Sequence, residues 1–216
     1  MTRLYLLDLT ALAGAQWQKL IPLLPPERQS RVKACRFEED KLRVAGAGWL
    51  LRCALEREGI PFDAQCFAEN PWGKPGLDGK PDLHFNLSHS GTWAVCAVSD
   101  RPVGVDVEAK PCSMELAKKQ FLPRELEQLP EDGLIRLWTA KEAFSKAIGR
   151  GLTVRLDSFE VCLHADGAEL RQDLSPLPYR LHEYKLGDVR LSLCCTDERP
   201  EPEYMKGTCA CGGGPV

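Results

Sequence analysis

The chain has 216 residues, enough for one large domain or two small ones and enough to bury a core without disulfide or metal staples. A hydrophobic fraction of 44% with 27% charged residues excludes wholesale disorder. A net charge of −3 excludes a broadly cationic surface of the kind that coats nucleic acid or anionic membranes. No apolar run approaches the ~20 residues that span a bilayer. The N-terminus does not read as a signal peptide, because Asp8 interrupts the run Leu4-Tyr5-Leu6-Leu7. The ten cysteines contain no C-x-x-C pair and no zinc-finger spacing to histidine, which predicts a cytoplasmic protein with reduced thiols.

Residues 4–9 read as an opening strand, and Pro22, Pro25 and Pro26 break the chain after it. From Arg28 to Arg52 seven basic residues face three acidic ones, a basic stretch whose bland reading is a solvated helix face. Within it Leu42, Ala45, Gly46, Trp49 and Cys53 share one helical face, and Gly59 with Pro61 stops the helix. The run Ala45-Gly46-Ala47-Gly48 predicts close approach of another backbone. A turn-rich loop, Asn70-Pro71-Trp72-Gly73-Lys74-Pro75-Gly76, precedes strands at 83–87 and 93–98. A strand at 103–108 opens the second half, a helix is predicted over 134–148, and strands follow at 159–164, 179–184 and 189–195. Residues from Thr196 onward, rich in Pro, Glu and Gly, read as a mobile tail. The two halves repeat faintly: each has a long helix, then short strands, and each closes on an apolar strand followed by an acid, Asp100 or Asp197. Helices followed by antiparallel-looking strands predict an α+β fold, a pair of similar halves.

Three patterns carry chemistry. In Gly104-Val105-Asp106-Val107-Glu108 the valines point one way, into a core, while Gly104, Asp106 and Glu108 point the other. Two carboxylates on one face suit a hard divalent cation; the plain alternative is a polar strand edge. In the helix around Trp138-Thr139-Ala140-Lys141-Glu142-Ala143-Phe144-Ser145-Lys146, Lys141 falls inside the apolar stripe and must snorkel out or meet an anion. Glu142 and Lys146 share the stripe's flank at i, i+4, either as a surface pair or as a third metal carboxylate with a phosphate-neutralising lysine. Asn86-Leu87-Ser88-His89-Ser90-Gly91 gathers hydroxyls, an imidazole and turn amides suited to an anion, or forms an ordinary turn. There is no nucleophile elbow and no Walker motif. Together these residues suit metal-assisted chemistry on a phosphate or pyrophosphate.

The ordered set Gly73-Lys74-Pro75, Asn86-x-Ser88-His89-Ser90, Gly104-Val105-Asp106-Val107-Glu108 and Trp138-x-x-Lys141-Glu142-x-Phe144-x-Lys146-x-x-Gly149-x-Gly151 resembles the 4′-phosphopantetheinyl transferases, in particular their surfactin-synthetase-activator (Sfp-like) class. The resemblance runs from about Pro26 to residue 197. It implies a pseudo-dimer of two α+β halves, residues 1–102 and 103–197, with a flexible tail at 198–216 and an active site in the cleft between the halves. It implies Mg²⁺ on Asp106, Glu108 and Glu142, with coenzyme A as co-substrate. It assigns Lys146 to the pyrophosphate with Lys141 nearby, Ser88 and His89 to the 3′-phosphate region, and Lys74 and Arg43 to the nucleotide end. The implied reaction moves phosphopantetheine from coenzyme A to a serine of an apo acyl or peptidyl carrier protein, in polyketide, nonribosomal peptide or fatty-acid synthesis. Glu142 is the first candidate base and Glu108 the second. The implied enzyme is a monomer that needs neither nucleic acid nor membrane. The competing readings are a non-catalytic coenzyme A- or nucleotide-binding module and another Mg²⁺-dependent phosphotransferase.

Overall fold

In the computed structural model, which describes residues 1–12, 17–127 and 129–206, one strand–helix–hairpin unit occurs twice. The first unit runs through β1 (Arg3–Asp8), α1 (Pro26–Ala34), the long α2 (Glu38–Arg57), a small hairpin of β2 (Phe67–Glu69) and β3 (Pro75–Leu77), then the hairpin β4 (His84–Ser90) and β5 (Trp93–Ser99). The second runs through β6 (Gly104–Glu108), α3 (Met114–Gln120), α4 (Pro123–Leu126), α5 (Gly133–Ala147), a small hairpin of β7 (Glu160–His164) and β8 (Gly167–Arg171), then the hairpin β9 (Arg180–Leu186) and β10 (Val189–Cys195). In each unit the last strand lies in the middle: β1-β5-β4 in one sheet, β6-β10-β9 in the other, all antiparallel. This is the α+β pair of halves that the faint repeat predicts.

Local chemistry sets the element ends. Glu38, Glu39 and Asp40 fill the first turn of α2, where the helix dipole favours negative charge. Gly149 follows α5 at a φ of +75°, the left-handed conformation that ends a helix. Small residues in α2 admit side chains rather than another backbone, which corrects the sequence expectation. A Cβ on Gly46 would strike Leu9, and one on Gly48 would press on Leu24 and on Cδ of Arg28. The strand predicted at 159–164 is β7, whereas β2, β3, β8, α3 and α4 are too brief to show a period in sequence.

Three apolar clusters hold the molecule. One lies between α2 and its sheet, around Tyr5, Leu50, Phe85 and Cys96. A second lies between α5 and its sheet, around Phe144, Phe159 and Leu181. The third is the seam between the sheets: Leu4, Leu6, Val95 and Ala97 of the first face Val103, Val105, Val107, Leu191 and Leu193 of the second. The predicted inward face of the Val103–Val107 strand is therefore the inter-half seam. Among the described residues no helix is long and apolar enough to cross a membrane.

The predicted tail is corrected over its first part. Residues Pro202–Met205 form β11, which pairs in parallel with β1 at the free edge of the first sheet. Met205 packs on the first core, the Tyr184 hydroxyl donates to the Pro200 carbonyl at 2.7 Å, and the Thr2 hydroxyl donates to Asp197 at 2.8 Å. The chain thus crosses the seam and ties the second unit to the first. Composition concealed this, since an edge strand tolerates Pro and Glu. Cys209 and Cys211 lie outside the described residues. Ending the chain at Asp197 is expected to cost about 2 kcal/mol, a fall in melting temperature of roughly 4–8 °C. Calorimetry of the shortened protein checks this; an unchanged melting temperature refutes the tie.

Candidate functional site

The cleft is built where β6 leans on α5. Contact is this close because residue 104 is glycine: a Cβ there would overlap the Ala143 carbonyl and the backbone of Ala147. The polar face of β6 therefore looks at the polar flank of α5. Asp106 is 3% exposed and Glu142 is 8% exposed. Asp106 Oδ1 accepts from Lys146 Nζ at 2.5 Å and from the Ser88 hydroxyl at 2.9 Å. Glu108 Oε2 accepts from the Ser90 hydroxyl at 2.7 Å. Burial pushes the Glu142 carboxyl upward; Lys146 opposes this, and Asp106 and Glu108 add to it. Burial also raises Glu108, against the Ser90 hydrogen bond and with Asp106 adding. The three predicted carboxylates and Lys146 thus share one field.

Two carboxylate oxygens in this cluster, Asp106 Oδ2 and Glu142 Oε1, are buried with no hydrogen-bond partner. An orphaned buried acceptor costs about 1–3 kcal/mol, more when charged. A hard cation with oxygen ligands would satisfy both, so the donor set fits a divalent ion of the Mg²⁺ kind. Among the described residues no three acidic, His or Cys side chains stand as a ready-made cage. The Lys146 ammonium takes part of the neutralising role here through its ion pair with Asp106.

β4 reaches the same cluster by an arrangement the sequence did not disclose. Its alternate side chains accept from the backbone of β6 and the residue after it: Asn86 Oδ1 from Val105 N at 2.8 Å, Ser88 Oγ from Val107 N at 3.3 Å, and Ser90 Oγ from Ala109 N at 3.1 Å. Three side chains thus stand in for a strand ladder between the two sheets. Ser88 bridges Asp106 and the β6 backbone, so its hydroxyl already has partners within the protein.

His89 is different. Burial pushes its pKa down to about 4, with Arg28, Arg43 and Lys146 adding to the effect. Two of these cations come from the first unit and one from the second, an electrostatic setting that suits an anion. Arg43 rests on Asp40 at 2.5 Å. Arg28, read from sequence as part of a solvated face, is partly buried, and burial lowers its pKa to about 10. With Arg31 it rims a pocket floored by Leu51, Phe67 and Phe85. Its stem fits against Gly48, a pairing that only the packing of α1 on α2 reveals.

Two lysines are placed elsewhere. Lys141 does not enter the cleft. It is 0% exposed, and its ammonium pairs with Glu125 at 2.7 Å and donates to the carbonyls of Leu156 and Phe159 at 2.7 and 2.9 Å. The lysine inside the apolar stripe meets its anion in the core of the second unit. Lys74 also turns inward, donating to the carbonyls of Val103, Lys146 and Ala147 at 2.8, 2.7 and 3.3 Å. Burial holds its pKa down to about 8. Neither lysine is among the residues that line the pocket of Arg28 and Arg31.

Residues 102–194 match the family model described as the 4′-phosphopantetheinyl transferase superfamily. Residues 13–101 match the one described as 4′-phosphopantetheinyl transferase, N-terminal. The chain is 33% identical over 189 residues to the 4′-phosphopantetheinyl transferase Sfp of Bacillus subtilis strain 168, covering 82% of this chain and 84% of the relative. It is 35% identical over 213 residues to a 4′-phosphopantetheinyl transferase of Bacillus subtilis, covering 91% of each. It is 35% identical over 164 residues to HetI of Nostoc, covering 69% of each.

The His89 environment sets a pH dependence. Its folded pKa lies below the unfolded value of about 6.5, so the unfolded chain binds more protons between the two values. Its contribution to stability is present above pH ~6.5 and is lost as pH falls toward ~4. An NMR titration of the His89 ring is expected to show it neutral at pH 6, and adding pyrophosphate to move its midpoint upward. A midpoint near the ordinary histidine value in the free protein would refute the cationic setting.

Proposed function

The chain belongs to the 4′-phosphopantetheinyl transferase superfamily and is an enzyme of that type, and from that premise we propose that it moves the phosphopantetheine arm of coenzyme A onto a serine hydroxyl of an apo carrier protein, with Mg²⁺ on Asp106, Glu108 and Glu142. The observation that carries the finer reading is the pair of orphaned buried carboxylate oxygens beside a lysine and a cation-ringed histidine. A site of that composition holds a cation and a polyanion together.

In this reading Arg28 and Arg31 take the phosphorylated nucleotide end, with the apolar floor of their pocket under the base. His89 and Arg43 face the phosphates between that pocket and Lys146. When bound, Mg²⁺ supplies charge neutralisation at the pyrophosphate. Lys146 neutralises charge on the leaving adenosine 3′,5′-bisphosphate as its P–O bond breaks. The carrier serine oxygen forms the new P–O bond, and its proton passes to a carboxylate oxygen of Glu142. Glu108 is the second candidate. Ser88 and Ser90 orient the carboxylates rather than the substrate. Both walls of the cleft come from one chain, and the described cysteines are all free thiols, which supports a cytoplasmic monomer. Acyl and peptidyl carriers both present the required serine.

Incubation with coenzyme A, Mg²⁺ and a panel of apo carriers should add the mass of phosphopantetheine to at least one of them. No gain on any carrier, with folded enzyme, overturns the reading. Asp106→Ala and Glu142→Ala should each lower transfer by roughly 10²–10⁴-fold while circular dichroism stays unchanged. Mg²⁺ should raise the melting temperature of the parent protein and not that of Asp106→Ala. Near-normal transfer by both variants at saturating Mg²⁺ would remove the metal assignment.

A further inference from the structure

We propose that the turn between β2 and β3 caps the catalytic helix α5 from the opposite half of the molecule, and that Lys74 and Asn70 are positioning residues for Lys146. The inference rests on the role of Lys146 proposed above. An ammonium has three donors, and those of Lys74 go to three carbonyls: Val103, one residue before β6, and Lys146 and Ala147, at the end of α5. Asn70 Nδ2 donates to the Gly149 carbonyl at 2.7 Å. The last carbonyls of a helix lack internal partners, and a cation is favoured there by the helix dipole. In this molecule the Lys146 carbonyl accepts from the Gly149 amide at 3.1 Å, and the cation, with further donors to the carbonyls of Lys146 and Ala147, comes from the other unit.

The turn is itself well determined. Asn70 Oδ1 accepts from the amides of Trp72 and Lys74, each at 2.9 Å, and the Asn70 amide donates to the Lys74 carbonyl at 2.9 Å. Residue 149 must be small, because a Cβ there would lie 3.0 Å from Asn70 Nδ2. The result is one point that ties the start of β6 to the end of α5. Asp106 hangs from the first and Lys146 from the second, and their side chains meet at 2.5 Å. Loosening the tie lets the Lys146 backbone drift relative to Asp106; the Lys74 and Asn70 side chains do not themselves line the nucleotide pocket, whose nearest lining groups in this turn are Glu69 and Pro75.

The test compares the full-length parent with Lys74→Met, which keeps the apolar stem and removes the donors. The expected result is a fall in kcat of about tenfold or more, with KM for coenzyme A within about twofold. Hydrogen exchange should speed up at the amides of Ile148 and Gly149. Asn70→Asp keeps the turn acceptor and loses the donor to Gly149; it should show a smaller fall in kcat and the same faster exchange. It also decides the matter should Lys74→Met fail to fold. A raised KM with kcat intact would show that Lys74 binds the nucleotide instead and overturn the proposal. Unchanged kcat and exchange in both variants would do the same. If the parent transfers nothing to any carrier, the functional reading fails, and the exchange data alone decide whether the cap exists.

Discussion

Strand β6 answers to two neighbours at once, and the rest of the molecule is arranged around that. Its Val103, Val105 and Val107 side must seal the seam between two sheets, so it is wholly apolar. Its other side must lie almost in contact with α5, which only a glycine at 104 permits. Period-2 alternation then leaves Asp106 and Glu108 no choice but to face the helix. Burying them there is unfavourable in isolation. The ammonium of Lys146, the hydroxyls of Ser88 and Ser90 and the open oxygens left for a cation make the arrangement tenable.

The duplicated unit explains why the site sits at the junction. Each half places its long helix on one face of a three-strand antiparallel core and leaves the other face apolar. Two such units must bury their spare faces, and the seam does so. Around its edge the first unit contributes β4 and the arginines, and the second contributes β6 and α5. The side chains of β4 complete hydrogen bonds that the backbone of β6 would otherwise lack, so the same polar motif both joins the halves and orients the carboxylates. β11 closes the joint from the other edge.

Lysines show how local pattern misleads about role. Lys141 and Lys146 are one turn and a half apart on α5 and look alike in sequence, yet one neutralises Glu125 in the core and the other Asp106 in the cleft. Lys74 lies in a turn-rich loop of the first unit, yet its ammonium is spent on backbone carbonyls of the other unit. Arg28 reads as surface charge, yet it is partly buried and acts on His89. A long flexible side chain can travel several ångströms in any direction from its Cα, so its partner depends on packing that spacing does not encode.

The sequence by itself determined the two α+β halves, the apolar face of β6 and the long helices, because these follow from periodicity that holds within one element, while the grouping of Asp106, Glu108 and Glu142 is what the family resemblance implies. Tertiary structure alone decided the partners of Ser88, Lys74, Lys141 and Arg28, the strand at Pro202–Met205 and the seam that makes a cleft from two halves. Those depend on groups far apart in the chain, as with Asp106 and Lys146, and only the closing of a buried interface selects which distant groups share a low-dielectric site.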